Sequence, residues 1–366
     1  MRLVSIHNCE EGLILAKPLF DQNSRILLNE GSVLTLSFIH RLKAKNIHYV
    51  YVKSEITNDV EVNDNISTNL RFETASKLNE VFSNLKEGKV SKNKTIGRVG
   101  LIKDLNNVFE KIMKEMNSSK HLLNLLSHMQ FSLDELFEHS VNTSLYALSI
   151  GKHMGLKDSE LHILGLGALF HDIGKLKSKD NLKKEEAENN KDSWKRHPEV
   201  GFEMLRKESE FHLLIAHCAY QHHENFDGTG FPRGLKGTEI HLFPKIISIA
   251  EAFDHLITHK SLLPHEAMEV IVGRSFIRYD SKVVETFKNA VAIYPIGVTV
   301  ELNTGETGVV IGYNKKYPQR PKVRIFKDSS GKKLQVHEFF EIDLLIALNI
   351  MIVKCDAIIE RKKVNS

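Results

Sequence analysis

The chain has 366 residues, a formal net charge of +4, and 42% hydrophobic against 26% charged residues, a globular balance that allows at least one sizeable core. So small a positive excess gives no ground for nucleic-acid binding, and no DNA partner is expected. Three widely spaced cysteines, Cys9, Cys218 and Cys355, argue for reduced thiols and against a disulfide framework. The start of the chain lacks the apolar core and cleavage site of a signal peptide. No run approaches the roughly 20 apolar residues that span a bilayer. Leu344 to Val353 is too short and is interrupted by Asn349. The expectation is a soluble, cytoplasmic protein with no membrane span.

In chain order, residues 1–60 read as a small α+β module. Leu13 to Ala16 and Arg25 to Leu28 have strand character about a turn at Asp21 to Ser24, Leu36 to Lys45 has helical spacing, and His48 to Val52 is a further strand. No nucleophile, metal cluster or phosphate loop occurs there, which suits a sensory, dimerising or packing role and leaves a homodimer or a signalling-protein partner open. Residues 61–129 comprise the end of a polar linker and a helical support, whose two helices are separated by the polar break at Glu87 to Gly97. Residues 130–290 carry a helix-rich core, with a charged insert from Lys177 to Arg196. Residues 291–366 form a β-rich appendage, with strands over Val298 to Leu302, Gly308 to Tyr313 and Lys322 to Phe326. The fold class is therefore mainly α, with a helical-bundle core between a small α+β module and a small β-rich appendage.

The chemistry gathers in the core segment. His171 and Asp172 end the apolar run that begins near Leu161, and His197 opens Arg-His-Pro-Glu-Val-Gly. His222 and His223 precede Glu224 and the turn Asp227-Gly228-Thr229-Gly230-Phe231-Pro232. Upstream, Glu135 and His139 stand four residues apart, on one helix face. Adjacent helical residues point about 100° apart, so His222 and His223 suit separate metals better than one tetrahedral centre. Imidazoles with carboxylates and no thiolate favour iron or manganese and leave zinc possible. A centre that stays net positive attracts an anionic phosphodiester.

These stretches, His171-Asp172-Ile173-Gly174-Lys175, His197-Pro198-Glu199-Val200-Gly201 and His222-His223-Glu224 with Asp227 to Pro232, closely resemble the HD-GYP family. That family belongs to the HD phosphohydrolases, and its members hydrolyse the bacterial second messenger cyclic di-GMP. The resemblance covers residues 130 to about 290 and implies an all-helical bundle with metals in its core. It implies His139, His171, Asp172, His197, His222 and His223 as metal ligands. Glu135 matches a glutamate found where the family holds three ions instead of two. Glu251 stands where the family usually has a metal-binding aspartate, and its extra methylene moves the carboxylate about 1.5 Å further from the backbone.

The implied cofactor is two or three divalent ions, with iron ahead of manganese. They would lower the pKa of a water and neutralise phosphate charge. Asp172 and Lys175 are the catalytic candidates, Lys175 through contact with the phosphate, and cyclic di-GMP is the implied substrate, with linear pGpG or GMP left open as the end product. Two departures bear on substrate choice. Phe231 replaces the tyrosine of the family name. Lys260-Ser261-Leu262-Leu263 stands where the family carries Arg-Pro-Tyr and a basic residue. Lys260 is then the one substrate-binding cation of that region, and lysine lacks the two-pronged grip of arginine. Cyclic GMP-AMP is therefore an alternative substrate. A non-catalytic regulator that binds a dinucleotide or partner protein is the reading from another class.

Overall fold

A computed structural model describes residues 1–20, 25–45, 47–60, 62, 66–86, 92–118, 135–178, 193–260, 262–314 and 317–355. The protein is mainly helical, with a small α+β module at its N-terminus and a five-stranded sheet at its C-terminus. In the N-terminal module, β1 (Arg2–Ser5) pairs antiparallel with β4 (Tyr49–Val52), and β2 (Leu19–Phe20) with β3 (Ile26–Leu28). Helix α1 (Leu36–Ala44) follows Thr35, whose side chain accepts from Phe38 N, and packs Ile39 and Leu42 against Val4, Leu15 and Val50. The strand character of Leu13 to Ala16 reduces to isolated bridges at Ile14 and Leu15, and the turn at 21–24 lies outside the described residues.

Helices α2 (Thr68–Lys86) and α3 (Lys92–Ser118) form the helical support. Phe82 of α2 packs its ring 5.5 Å from both Phe137 and Phe170, so the support is continuous with the main core. That core is built on α4 (Glu135–His153), α5 (Asp158–Phe170), the short α6 (Lys175–Ser178), α7 (His197–Leu205), α8 (Leu213–Gln221), α9 (Leu242–Thr258), α10 (Pro264–Val272) and α11 (Ser281–Ala290). Helix α5 is apolar on every side from Ile163 to Phe170, which places it at the centre of the bundle. A Cβ at Gly167 would meet Cys218 Sγ at 2.6 Å, so glycine there lets α8 approach α5 closely. The two helices therefore end side by side, one in His171-Asp172 and the other in His222-His223.

The C-terminal sheet is antiparallel throughout, in the order β8 (Phe340–Asp343), β7 (Lys322–Lys327), β6 (Thr307–Gly312), β5 (Thr299–Leu302), β9 (Ile352–Cys355). Its inner face buries Val300, Val310, Val323 and Ile325. It docks on the N-terminal module through Leu3 N donating to Gly297 O at 2.9 Å and a forked Arg324–Asp59 ion pair with contacts of 2.6 and 2.8 Å. No described helix is long and apolar enough to cross a membrane.

Candidate metal centre

Five helices deliver the site. His139 lies one turn into α4, His171 and Asp172 follow α5, His197 begins α7, His222 and His223 follow α8, and Glu251 lies on α9. His171, Asp172, His197 and His222 are fully buried. Their ligand atoms fall into two groups that share one residue: His139, His171 and Asp172, and Asp172, His197, His222 and His223. Asp172 Oδ2 faces His171 Nε2 at 3.5 Å and His139 Nε2 at 3.9 Å. Asp172 Oδ1 faces His197 Nε2 at 3.2 Å and His222 Nε2 at 3.7 Å. The carboxylate thus offers one oxygen to each group.

Hydrogen bonds settle which ring nitrogens face inward. His171 Nδ1 lies 2.6 Å from Ala168 O, His197 Nδ1 2.5 Å from Trp194 O, and His222 Nδ1 2.8 Å from Ala219 O. A carbonyl oxygen only accepts, so each Nδ1 carries the proton and each neutral ring turns its Nε2 lone pair toward the cluster. For His139 the same task falls to Asp254, whose Oδ2 lies 2.7 Å from Nδ1. Inward lone pairs have no proton to share. Yet His197 Nε2 and His222 Nε2 approach to 3.1 Å, and both face a carboxylate oxygen. His171 Nε2, His223 Nε2, Asp172 Oδ1 and Glu251 Oε2 are buried without a hydrogen-bond partner. Buried acceptors gathered around one carboxylate are costly unless cations lie among them. The donor set fits a divalent metal, and these residues could hold one.

The electrostatics agree. Burial pushes the His222 pKa down to about 3, helped by the charge of His223, and burial likewise lowers His171 and His223. These shifts favour the neutral imidazole, the form that keeps one ring nitrogen free to donate a lone pair. Burial works to raise Asp172, but the neighbouring His171 and the Lys175 ammonium outweigh it and hold the carboxyl well below its usual range. Lys175 Nζ donates directly to Asp172 Oδ2. Burial also opposes the charge on Glu251, and His222 and His171 overcome it to lower that pKa. For His139, burial is outweighed by the Asp254 hydrogen bond and carboxylate charges, which raise its pKa.

Several neighbours shape rather than ligate. A Cβ at Gly174 would lie 2.0 Å from His197 O, so only glycine lets the His171-Asp172 turn sit against the start of α7. Glu224, which is buried, accepts from Arg233 N at 2.8 Å and Leu235 N at 2.9 Å and so ties down the loop after His223. Phe231 stacks on His223 with ring centroids 4.8 Å apart, and Trp194 meets both rings edge-on.

The structure brings His139, His171, Asp172, Lys175, His197, His222 and His223 together and places Glu251 beside them, with Oε1 3.9 Å from His223 Nε2. The side chain of Glu135 lies outside the described residues, although its backbone starts α4 one turn before His139. Lys260 is exposed and does not line the cavity beside the centre; Ser261 is outside the described residues. That cavity, of about 340 Å³, is bounded by Lys175, Trp194, His223, Glu251, Arg274 and Arg278 among others. Asp254, Trp194, Arg274 and Arg278 were not apparent as site residues from sequence. Asp254 alone had a local signal, standing three residues after Glu251 and so near the same face of α9.

Residues 116–283 match the family model described as an HD domain, and residues 299–364 that of a KOW domain associated with HD domains. Residues 116–283 thus form a domain of the HD phosphohydrolase superfamily, related to its HD-GYP branch. Among curated relatives, it is 27% identical over 216 residues to the cyclic di-GMP phosphodiesterase PA4108 of Pseudomonas aeruginosa, covering 57% of this chain and 51% of that protein. It is 33% identical to a cyclic di-GMP phosphodiesterase of Thermotoga maritima, covering 45% of this chain and 47% of that protein. To the 3'3'-cGAMP-specific phosphodiesterase 3 of Vibrio cholerae it is 30% identical, covering 43% of this chain and 35% of that protein. The chain spans about half or less of the length of these relatives.

Proposed function

We propose that the protein is a metal-dependent phosphodiesterase that opens cyclic di-GMP, with linear pGpG or GMP as the end product. The observation that carries this reading is the Asp172 carboxylate set between two groups of imidazoles, of which His171, His197 and His222 turn an unprotonated Nε2 inward. Asp172 would bridge two ions, with His139 and His171 on one and His197, His222 and His223 on the other. Glu251 and Glu135 would complete the set, Glu135 with a third ion. The mixed nitrogen and oxygen donors favour iron, with manganese next. Bound there, the ions supply Lewis acidity toward a phosphate and an activated water.

The protein's own groups perform the remaining tasks. Lys175, on the cavity wall and in contact with Asp172, brings an ammonium to the developing charge on the phosphate oxygens. Asp254 holds the His139 ring in the orientation its Nε2 requires. Trp194, about half exposed and packed against His197, His223 and Phe231, gives the cavity an aromatic wall beside the metal centre and shields it from water on that side.

A second reading keeps this centre and changes the substrate to cyclic GMP-AMP. It is favoured by relatives named 3'3'-cGAMP-specific phosphodiesterases and by the segment Lys260-Ser261-Leu262-Leu263. The test is anaerobic purification, reconstitution with iron or manganese, and chromatography of the products from each cyclic dinucleotide. Linear dinucleotide from cyclic di-GMP at the higher kcat/KM supports the first reading. A preference for cyclic GMP-AMP selects the second, and metal-loaded protein that cleaves neither refutes both in favour of a binding regulator.

A further inference from the structure

The metal centre accounts for only one side of the 340 Å³ cavity. Another side comes from the turn that follows α10, which contributes Arg274, Arg278 and Tyr279 to the same space as Lys175, His223 and Glu251. That turn is held in place. Phe276 has φ 65°, a left-handed conformation that a bulky residue keeps only when its surroundings impose it. Phe276 N donates to Tyr279 O at 2.9 Å across the turn. Phe226 N donates to Arg278 O at 3.1 Å and Asp227 N to Ile277 O at 2.9 Å, so the loop after His222-His223 and the arginine turn form one continuous rim.

The arginines themselves are poorly compensated. Among the described residues neither makes an ion pair; Arg274 is exposed at the cavity mouth, and Arg278 is partly buried, with its Nε buried and without a hydrogen-bond partner. The Arg278 guanidinium lies 5.4 Å from the Tyr279 ring centroid, which orients it without neutralising it. A buried guanidinium donor lacking a protein acceptor, in a cavity, calls for a ligand anion. The fork of N–H groups matches a phosphate in particular.

We propose that Arg274 and Arg278 grip the phosphodiester that is not being cut. The proposal rests on the cyclic-dinucleotide reading given above. A cyclic dinucleotide carries two phosphodiesters in one ring, so when one lies at the metal centre the other must stay in the cavity with its negative charge. Lys260 is exposed and does not line that cavity, and the arginine pair supplies the positive charge instead. Because the pair reads phosphate and not base, it serves cyclic di-GMP and cyclic GMP-AMP alike, and it selects a cyclic dinucleotide over a diester with one phosphate.

The experiment compares two probes on manganese-loaded full-length protein: the hydrolysis-resistant phosphorothioate analogue of cyclic di-GMP, and GpG, which has a single phosphodiester. Arg274→Ala and Arg278→Ala each weaken analogue binding about tenfold, and the double variant about 100-fold, as expected for lost charged hydrogen bonds. GpG affinity changes by much less, so the preference for the cyclic analogue collapses, while bound manganese stays at the wild-type level. Arg278→Lys restores part of the lost affinity. Unchanged analogue affinity in the double variant overturns the proposal, as does an equal loss for both probes accompanied by loss of manganese. If the wild type binds the analogue but cleaves no cyclic dinucleotide, the catalytic reading fails while the arginine assignment is still decided by the binding ratio. If the wild type binds no analogue, the assignment itself is wrong.

Discussion

Replacing Asp254 with asparagine removes a charge that no proposed ion would touch. Its Oδ2 lies 2.7 Å from His139 Nδ1, and the side chain is almost fully buried, so solvent does not screen the contact. A hydrogen bond involving a charged group contributes about 1.5–3 kcal/mol, and each 1.4 kcal/mol is a factor of ten. Asparagine can still accept from Nδ1–H, which places Asp254→Asn at the lower end, near a tenfold loss of metal affinity. Asp254→Leu removes the acceptor and belongs nearer 100-fold. The loss should fall on the group containing His139 and His171. The group of His197, His222 and His223 should keep its affinity, because the rings of His197 and His222 are oriented by the carbonyls of Trp194 and Ala219. Manganese titration against a competing fluorescent chelator resolves the two affinities, with thermal unfolding run beside it to confirm the fold. Two affinities equal to those of the wild type would refute the reasoning, as would equal weakening of both in a normally folded variant.

Other expectations follow from single contacts. Lys175→Ala should lower kcat about 100-fold with metal content retained; unchanged turnover would remove the ammonium from the mechanism. Gly174→Ala places a Cβ 2.0 Å from His197 O, and the forced separation should cost about 1–3 kcal/mol in unfolding free energy and reduce bound metal, both absent if the turn can yield. His48 in the N-terminal module is held below its ordinary pKa of 6.5 by burial and by the charge of His7, against a hydrogen bond to the Thr258 carbonyl. A lowered histidine stabilises the fold fully above about pH 6.5 and loses that contribution as pH falls through its unfolded pKa. His48→Gln should therefore flatten the decline of melting temperature between about pH 7 and pH 5, and an unaltered slope would show that His48 does not titrate on folding.

The mainly helical class and the clustering of the candidate metal donors were legible because they are written in local patterns. His171-Asp172 and His222-His223 each terminate an apolar helical run, so both pairs had to sit at helix ends near the core. The partners were not legible. Asp254 meets His139 only because α9 crosses α4 at that level, and 115 residues of chain separate them. Arg274 and Arg278 sit in a turn whose place depends on backbone bonds to Phe226 and Asp227, which no spacing in the sequence encodes. The appendage shows the same limit. Strands 299–302, 307–312 and 322–327 follow alternating or β-branched runs, whereas the edge strands Phe340–Asp343 and Ile352–Cys355 exist through non-local pairing. Leu344 to Val353, the longest apolar stretch near the C-terminus, leads into an edge strand and leaves Ile346 81% exposed.

The proposed bridging role of Asp172 is tested most directly by counting metal in the protein reconstituted anaerobically with manganese, by mass spectrometry of digested samples of known concentration. The wild type should carry at least two ions per chain, His139→Ala should lose one, and Asp172→Ala should lose both ions that its two oxygens serve. An Asp172→Ala protein that keeps the wild-type count, or a wild type that never exceeds one ion, would contradict a centre organised around that residue.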